Sequence, residues 1–138
     1  MEEIQEKPRM ILPDRIQLVC SPNWNYIFGD SEYFKKGKIV KQILEGKDHV
    51  FTPSICIMEI KNKYLQEGQK FQDRIDFICK NSSIIDIDQE VALITADIKN
   101  TYKLYTVDAL VYTIAQRQKS TLLTGDAHFK DLENVKLL

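Results

Sequence analysis

Apolar positions along the 138 residues alternate between short strand-like runs and stretches with helical spacing. The strand-like runs are rich in β-branched residues and predict strands at 16–20, 49–52, 83–87, 121–126 and 135–138. Helical spacing predicts helices at 21–28, 31–45, 54–68, 69–81, 89–104, 107–119 and 127–132. Strands separated by helices are typical of an α/β domain with a mainly parallel central sheet and helices on both faces.

Helix-starting chemistry follows the first apolar run closely. Ser21 and Pro22 are favourable residues for a helix start, and they predict a short helix as far as Phe28. Gly29 ends that helix, and Asp30 or the residue after it caps the longer helix over 31–45. We expect residues 1–14 to be an N-terminal extension and 15–138 to be a single domain.

Composition narrows the class of protein. With 43% hydrophobic and 28% charged residues, the chain has the balance of a soluble globular protein. No apolar run approaches the roughly 18 residues that span a bilayer, and the acidic, proline-broken start is unlike a signal peptide, so we expect a cytoplasmic protein without membrane contact. A net charge of −1 gives no whole-molecule attraction to nucleic acid, so any such binding must be local.

Cysteine and histidine usage argues against several kinds of site. The three cysteines, Cys20, Cys56 and Cys79, are widely spaced and sit beside apolar neighbours, which favours buried thiols over disulfides or a zinc site. His49 and His128 are the two histidines, so a histidine-rich metal site is excluded.

Three acids occupy unusual positions. Glu59 interrupts an apolar helix, Asp108 stands at a helix start, and Asp126 ends a strand. Each has a structural alternative: a solvated helix face for Glu59, an N-cap or first-turn acid favoured by the helix dipole for Asp108, and a helix cap for Asp126.

Sheet topology brings these acids toward one place. In an open parallel sheet the ligand crevice lies at the carboxyl ends of the strands, where Asp126 and the neighbouring helix starts are expected. Acids gathered there repel one another, so without a cation one carboxyl would have a raised pKa. Oxygen ligands suit Mg²⁺ or Mn²⁺ better than zinc, and such an ion can assist phosphodiester hydrolysis.

At these residues the chain resembles the PIN domain family of nucleases, which includes the VapC toxins of prokaryotic toxin–antitoxin pairs. "TPSICIMEIKNKY" resembles the family's acidic helix and matches its Glu with Glu59. "YTVDALVYTIAQRQKSTLLTGDAHF" matches an Asp at a helix start and a later Thr-x-Asp followed by an aromatic, here Asp108, Thr124, Asp126 and Phe129. The two aspartates are 18 residues apart, a separation typical of the family.

The resemblance implies a PIN-like three-layer sandwich and carboxylate-bound Mg²⁺ or Mn²⁺. Glu59, Asp108 and Asp126 would be the catalytic and metal-binding residues, with Thr124 in support. The family also has an Asp at the end of the first strand. If "NYIFGDS" is that strand, Asp30 is a further metal ligand. If "RIQLVC" is that strand, Cys20 or Val19 stands at the position where the family has its Asp. We favour the second placement, in which Asp30 is a helix cap, because it leaves room for two helices before the next strand.

The resemblance also implies partners. RNA would be the substrate, and the phosphate-binding candidates are the basic residues Lys35, Lys36, Lys38, Lys41, Lys61, Lys63, Arg117 and Lys119. A solvated lysine-rich face is the alternative for each of them. Trp24, Tyr64, Tyr102 and Tyr105 are candidates for base stacking, with core packing as the alternative for each. A homodimer and an antitoxin partner are expected, and an apolar stripe on the helices at 54–80 would serve either.

Three functions remain open from the sequence. The first is a metal-dependent endoribonuclease, and the second is a catalytically degenerate PIN-like module that binds RNA or a protein without turnover. The third is a phosphatase or receiver-like domain with an Asp phosphoryl acceptor. The absence of an acidic pair after an apolar first strand argues against the third.

Overall fold

The structure, a computed structural model, describes residues 16–19, 42 and 49–137. Its strands are β1 (Ile16–Val19), β2 (His49–Pro53), β3 (Ser83–Ile85), β4 (Thr121–Thr124) and β5 (Val135–Leu137). Its helices are α1 (Ser54–Gln66), α2 (Gln72–Asn81), α3 (Gln89–Tyr102) and α4 (Thr106–Arg117), with a 3-10 turn at Ala127–Phe129. None of the helices in this described part is long and apolar enough to cross a membrane.

These strands form a parallel sheet in the order β3-β2-β1-β4-β5. β1 pairs with β2 on one side, with Leu18 opposite Phe51, and with β4 on the other, with Val19 opposite Leu123. The predicted α/β class with parallel strands is therefore confirmed. A parallel neighbour on each side makes β1 a central strand although it comes first among the described strands.

The position of β1 bears on the two placements of the first strand. A strand at the favoured position is confirmed, and Val19 is its last residue. Cys20 and Asp30 lie outside the described residues, as do the predicted helices at 21–28 and 31–45 apart from Gln42, which is helical and exposed.

Within the described residues, two clusters of buried side chains pack around the sheet. Leu122 belongs to one cluster together with Tyr112 and Ile114 of α4. Leu123 belongs to the other, together with Ile60 of α1 and Ile78 of α2. Successive strand residues point to opposite faces of a sheet, so α4 and the α1–α2 pair pack against different sides of β4. The three-layer sandwich as a whole stays a prediction.

The break between α1 and α2 is longer than the sequence predicts. Gly68 adopts a left-handed conformation with φ of 67°. Its N–H bonds the carbonyl of Leu65 at 3.2 Å, and the N–H of Gln69 bonds that of Tyr64 at 2.8 Å. This pair of bonds is the Schellman termination of a helix. Because the chain leaves α1 in this way, α2 begins at Gln72 and not at residue 69.

The prediction of buried thiols is confirmed for one described cysteine and wrong for the other. Neither forms a disulfide with a described residue, but Cys56 is fully buried whereas Cys79 is exposed. Cys79 follows Ile78, which is fully buried. Adjacent helix positions point about 100° apart, so when Ile78 faces the core its neighbour turns toward solvent.

Candidate functional site

The carboxyl end of β4 sets the position of Asp126. Thr124, the last residue of the strand, is fully buried, and its hydroxyl accepts a hydrogen bond from the N–H of Asp126 at 3.0 Å. The Asp126 carboxylate in turn accepts from the N–H of His128 at 2.9 Å and so caps the 3-10 turn. Capping, the structural alternative for Asp126, is therefore confirmed, and it fixes this carboxylate at the edge of the sheet.

Asp108 reaches the same edge from α4. It lies in the first turn of that helix, three residues after the N-cap residue Tyr105. The core face of α4 is fully or nearly fully buried through Ala109, Tyr112 and Ile114, which anchors the helix against the sheet. The Asp108 side chain retains 21% of its exposure, against 34% for that of Asp126. The predicted meeting of the two aspartates is observed.

A histidine joins this pair. Nδ1 of His128 lies 2.9 Å from Oδ1 of Asp126 and 3.9 Å from Oδ2 of Asp108. Each of the three residues offers a ligand atom, and these atoms lie within 4.8 Å of one another. The His128 ring also makes an edge-on contact with Tyr105, with centroids 5.7 Å apart.

Burial and neighbouring charge disfavour ionisation of Asp108. Its pKa is raised first by desolvation, then by the negative charge of Asp126, and further by that of Glu59; the nearby His128 acts in the opposite direction. Repulsion was the expected cause, but the larger one is loss of water around a partly buried carboxyl.

A stability prediction follows from this pKa. Because the folded pKa of Asp108 lies above its ordinary value of 3.8, stability should be lost as pH rises through the folded pKa. Asp108→Asn removes this loss, so the metal-free variant should melt at a higher temperature than the wild type near neutral pH. The difference should close as the pH falls toward 3.8.

Thermal melting of both proteins in a chelator across this pH range measures the effect. Asp97→Asn, which replaces an exposed aspartate on α3, is the matched control and should follow the wild type. A variant that is less stable than the wild type at neutral pH would contradict the prediction.

The other sequence candidates take different places. Glu59, on α1, is partly exposed and affects Asp108 electrostatically, but it lies outside the group of three close ligand atoms. Arg117 stands at the opposite end of α4 from Asp108, about 14 Å along the axis, and forms an ion pair with Glu90. Its role in RNA binding stays a prediction. Asp30 and the basic candidates Lys35, Lys36, Lys38 and Lys41 lie outside the described residues.

Exposure separates the aromatic candidates. Tyr64 is 4% exposed and its hydroxyl accepts a hydrogen bond from Arg74, so packing explains it. Tyr102 packs edge-on against Tyr112. Tyr105 is 70% exposed and lies beside the carboxylates through its contact with His128.

His128 is the site residue that the sequence candidates omitted. Two histidines excluded a histidine-rich site, but a mixed site needs only one imidazole. The available signal was spacing, since His128 follows Asp126 by two residues in the turn that leaves the strand. A tight turn after a strand keeps such neighbours on the same edge of the sheet.

The donor set suits a divalent metal ion. The two carboxylates repel each other, and partial burial further disfavours the charged form of Asp108. A bound cation would offset both the repulsion and the loss of water. Carboxylate oxygens suit Mg²⁺ and Mn²⁺, and an imidazole nitrogen is also a common metal ligand. Asp108 and Asp126 would hold the ion.

Comparisons with known proteins agree with this fold. A toxin–antitoxin complex from Klebsiella pneumoniae contains a chain with a TM-score of 0.69 and 24% identity, over 87% of this chain and 95% of that one. VapBC2 from Rickettsia felis, bound to a DNA fragment from its promoter, matches with a TM-score of 0.69 and 17% identity, over 89% and 97%. No curated protein matches the sequence.

The family is established by a match of sequence pattern over most of the chain. The family model of the PIN domain matches residues 24–135, a range that contains Glu59, Asp108 and Asp126. The chain therefore belongs to the PIN domain family.

Proposed function

We propose that this protein is a metal-dependent endoribonuclease of the VapC type that hydrolyses RNA phosphodiesters. The observation that carries the proposal is the meeting of Asp108 and Asp126 at the carboxyl edge of the sheet, with Asp108 partly buried and its pKa raised. Repulsion between two carboxylates held so close lowers the stability of the folded protein, and a divalent cation would offset that repulsion.

Each site residue has a distinct role in this proposal. Asp108 and Asp126 bind Mg²⁺ or Mn²⁺ through carboxylate oxygens, and Glu59 adds negative charge from α1. Thr124 holds the Asp126 backbone through its hydroxyl. When bound, the cation supplies the Lewis acidity that activates water toward a phosphodiester. The partial exposure of both aspartates leaves the site open to a phosphate group.

Among the described aromatic candidates, Tyr105 is the best placed for base stacking. An exposed aromatic ring beside a phosphate-cleaving site can stack on a nucleobase of single-stranded RNA, which contributes about 1–3 kcal/mol per base. Tyr105→Ala should therefore weaken RNA binding about tenfold, measured by fluorescence anisotropy with a labelled single strand in Ca²⁺.

Tyr105→Phe is the control for this prediction. It keeps the aromatic face and should bind RNA within about twofold of the wild type, because stacking needs the ring and not the hydroxyl. Equal binding by the wild type and Tyr105→Ala would remove Tyr105 from the RNA surface.

We also infer an antitoxin partner, a homodimer and a cytoplasmic location. Large apolar side chains are exposed on α1 and α2, namely Met58, Leu65 and Phe77. Exposed apolar residues on neighbouring helices favour protein contacts. The two solved structures described above come from toxin–antitoxin systems, which supports an antitoxin as the partner.

A second candidate function is a PIN-domain module that binds RNA or protein without turnover. The observation in its favour is that β1, a central strand, ends at Val19 and is followed in the sequence by Cys20. A neutral thiol is a poor Mg²⁺ ligand, and loss of one carboxylate would weaken the metal site.

Cleavage of a mixed RNA pool tests the proposed function. The purified wild type should cut RNA in Mn²⁺ or Mg²⁺, lose the activity in a chelator, and recover it when metal is restored. A protein that binds RNA but leaves it intact with either metal would contradict the nuclease and support the module.

A further inference from the structure

The position of His128 suggests a part in the metal site that goes beyond the acidic residues. Its Nδ1 points at both aspartates, at 2.9 Å from a carboxylate oxygen of Asp126 and 3.9 Å from one of Asp108. The side chain remains 60% exposed, so it is not needed to fill the core. The ring is oriented by its edge-on contact with Tyr105 and by the turn in which Asp126 accepts the N–H of His128.

These distances are those of an ion pair, and they also match the spacing of atoms that share a metal ion. With metal–ligand bonds of about 2.1 Å, ligand atoms of an octahedral ion lie about 3 Å apart when adjacent and about 4 Å apart when opposite. The two separations in the structure, 2.9 and 3.9 Å, fall near these values. The three ligand atoms lie within 4.8 Å of one another, so rotation of the side chains would have to draw the widest-spaced pair together for all three to share one ion.

We propose that His128 is a direct ligand of the divalent cation held by Asp108 and Asp126, and that its imidazole makes this site favour Mn²⁺ over Mg²⁺. Mg²⁺ strongly prefers oxygen ligands, whereas transition metals accept imidazole nitrogen. This inference rests on the proposed metal-dependent function and names the cation that the site selects.

Pulsed electron paramagnetic resonance of the Mn²⁺-loaded protein tests the proposal directly. The method detects a nitrogen nucleus bound to Mn²⁺, so the wild type should give an imidazole nitrogen signal and His128→Asn should lose it. The chain has two histidines, which makes the assignment unambiguous. His49→Asn is the matched control and should retain the signal, because His49 begins β2 and its ring lies against Phe51.

Metal affinities provide the second readout. The wild type should bind Mn²⁺ at least about tenfold more tightly than Mg²⁺, with Mg²⁺ measured by competition. His128→Asn should weaken Mn²⁺ binding about tenfold and change Mg²⁺ binding by less than about twofold. An imidazole that only orients Asp126 would weaken both metals together and would give no directly bound nitrogen signal.

The outcomes separate this proposal from the proposed function. Mn²⁺ binding without a nitrogen signal overturns the role of His128 but leaves the nuclease standing. A nitrogen signal that is lost in His128→Asn, in a protein that cuts no RNA, supports the role of His128 and contradicts the nuclease. Absence of Mn²⁺ binding overturns both.

Discussion

Asp108→Asn should lower metal-dependent RNA cleavage by about 100-fold or more. An amide has one neutral oxygen where the carboxylate has a shared negative charge, so the cation loses a charged ligand. Loss of groups that merely support a metal ligand costs about 10–100-fold, and loss of a ligand itself should cost at least as much. The initial rate on a labelled RNA pool in Mn²⁺ measures the effect.

Stability and activity should move in opposite directions for this variant. The substitution removes a carboxyl whose pKa is raised by burial and by neighbouring acids, so the inactive protein should be at least as stable as the wild type without metal. Loss of activity through misfolding would instead lower the melting temperature. Asp97→Asn should keep wild-type activity, and unchanged cleavage by Asp108→Asn would refute the assigned role of Asp108.

Cys20→Asp should raise the affinity for Mn²⁺ about tenfold or more. Cys20 follows β1 directly in the sequence, and Val19 pairs with Leu123, the residue before Thr124. Ends of adjacent parallel strands lie at the same edge of a sheet, so an acid introduced after Val19 should enter the field of Asp108 and Asp126. A further charged oxygen ligand strengthens the binding of a hard cation. Isothermal titration with Mn²⁺ measures the change.

Asp30→Asn is the informative comparison for this gain. If Cys20 stands at the position where the family has the Asp of the first strand, Asp30→Asn should bind Mn²⁺ as the wild type does. If Asp30→Asn instead loses metal binding while Cys20→Asp shows no gain in Mn²⁺ affinity, Asp30 is the further metal ligand. The favoured placement of the first strand's acid at Cys20 would then be wrong. If the wild type does not cleave RNA and Cys20→Asp does, the result would support a binding module that has lost one carboxylate.

Much of the fold could be predicted from local patterns in the sequence. Helical spacing located the described helices because each buries one face, and short apolar runs located the strands, of which β4 is covered on both faces. Parallel order followed from the alternation of strands and helices. The boundaries were less accurate where hydrogen bonding decided them, as at Gly68, whose left-handed turn delays the start of α2. Cys79 was assigned to the core from apolar neighbours, although a helix turns adjacent residues in different directions.

The site was predictable in part. The convergence of Asp108 and Asp126 follows from strand and helix ends, which topology brings to one edge. The contact of His128 with both acids depends on the turn at Ala127–Phe129, and the identity of a residue does not reveal the direction of its side chain in such a turn. Burial as the main cause of the raised pKa of Asp108 likewise depends on packing that a linear pattern does not contain.

The central place of β1 has a consequence for how the protein matures during synthesis. Gln17 pairs with Thr121, so the middle of the sheet joins segments from opposite ends of the chain. Such non-local pairing forms slowly, and domains emerging from the ribosome become complete only after their last paired segment is available. Asp126 follows Thr121 in the sequence, so a nascent chain that ends before residue 126 carries Glu59 and Asp108 but has no carboxylate pair. The pair of Asp108 and Asp126 can therefore assemble only after β4 and the turn that follows it have been synthesised.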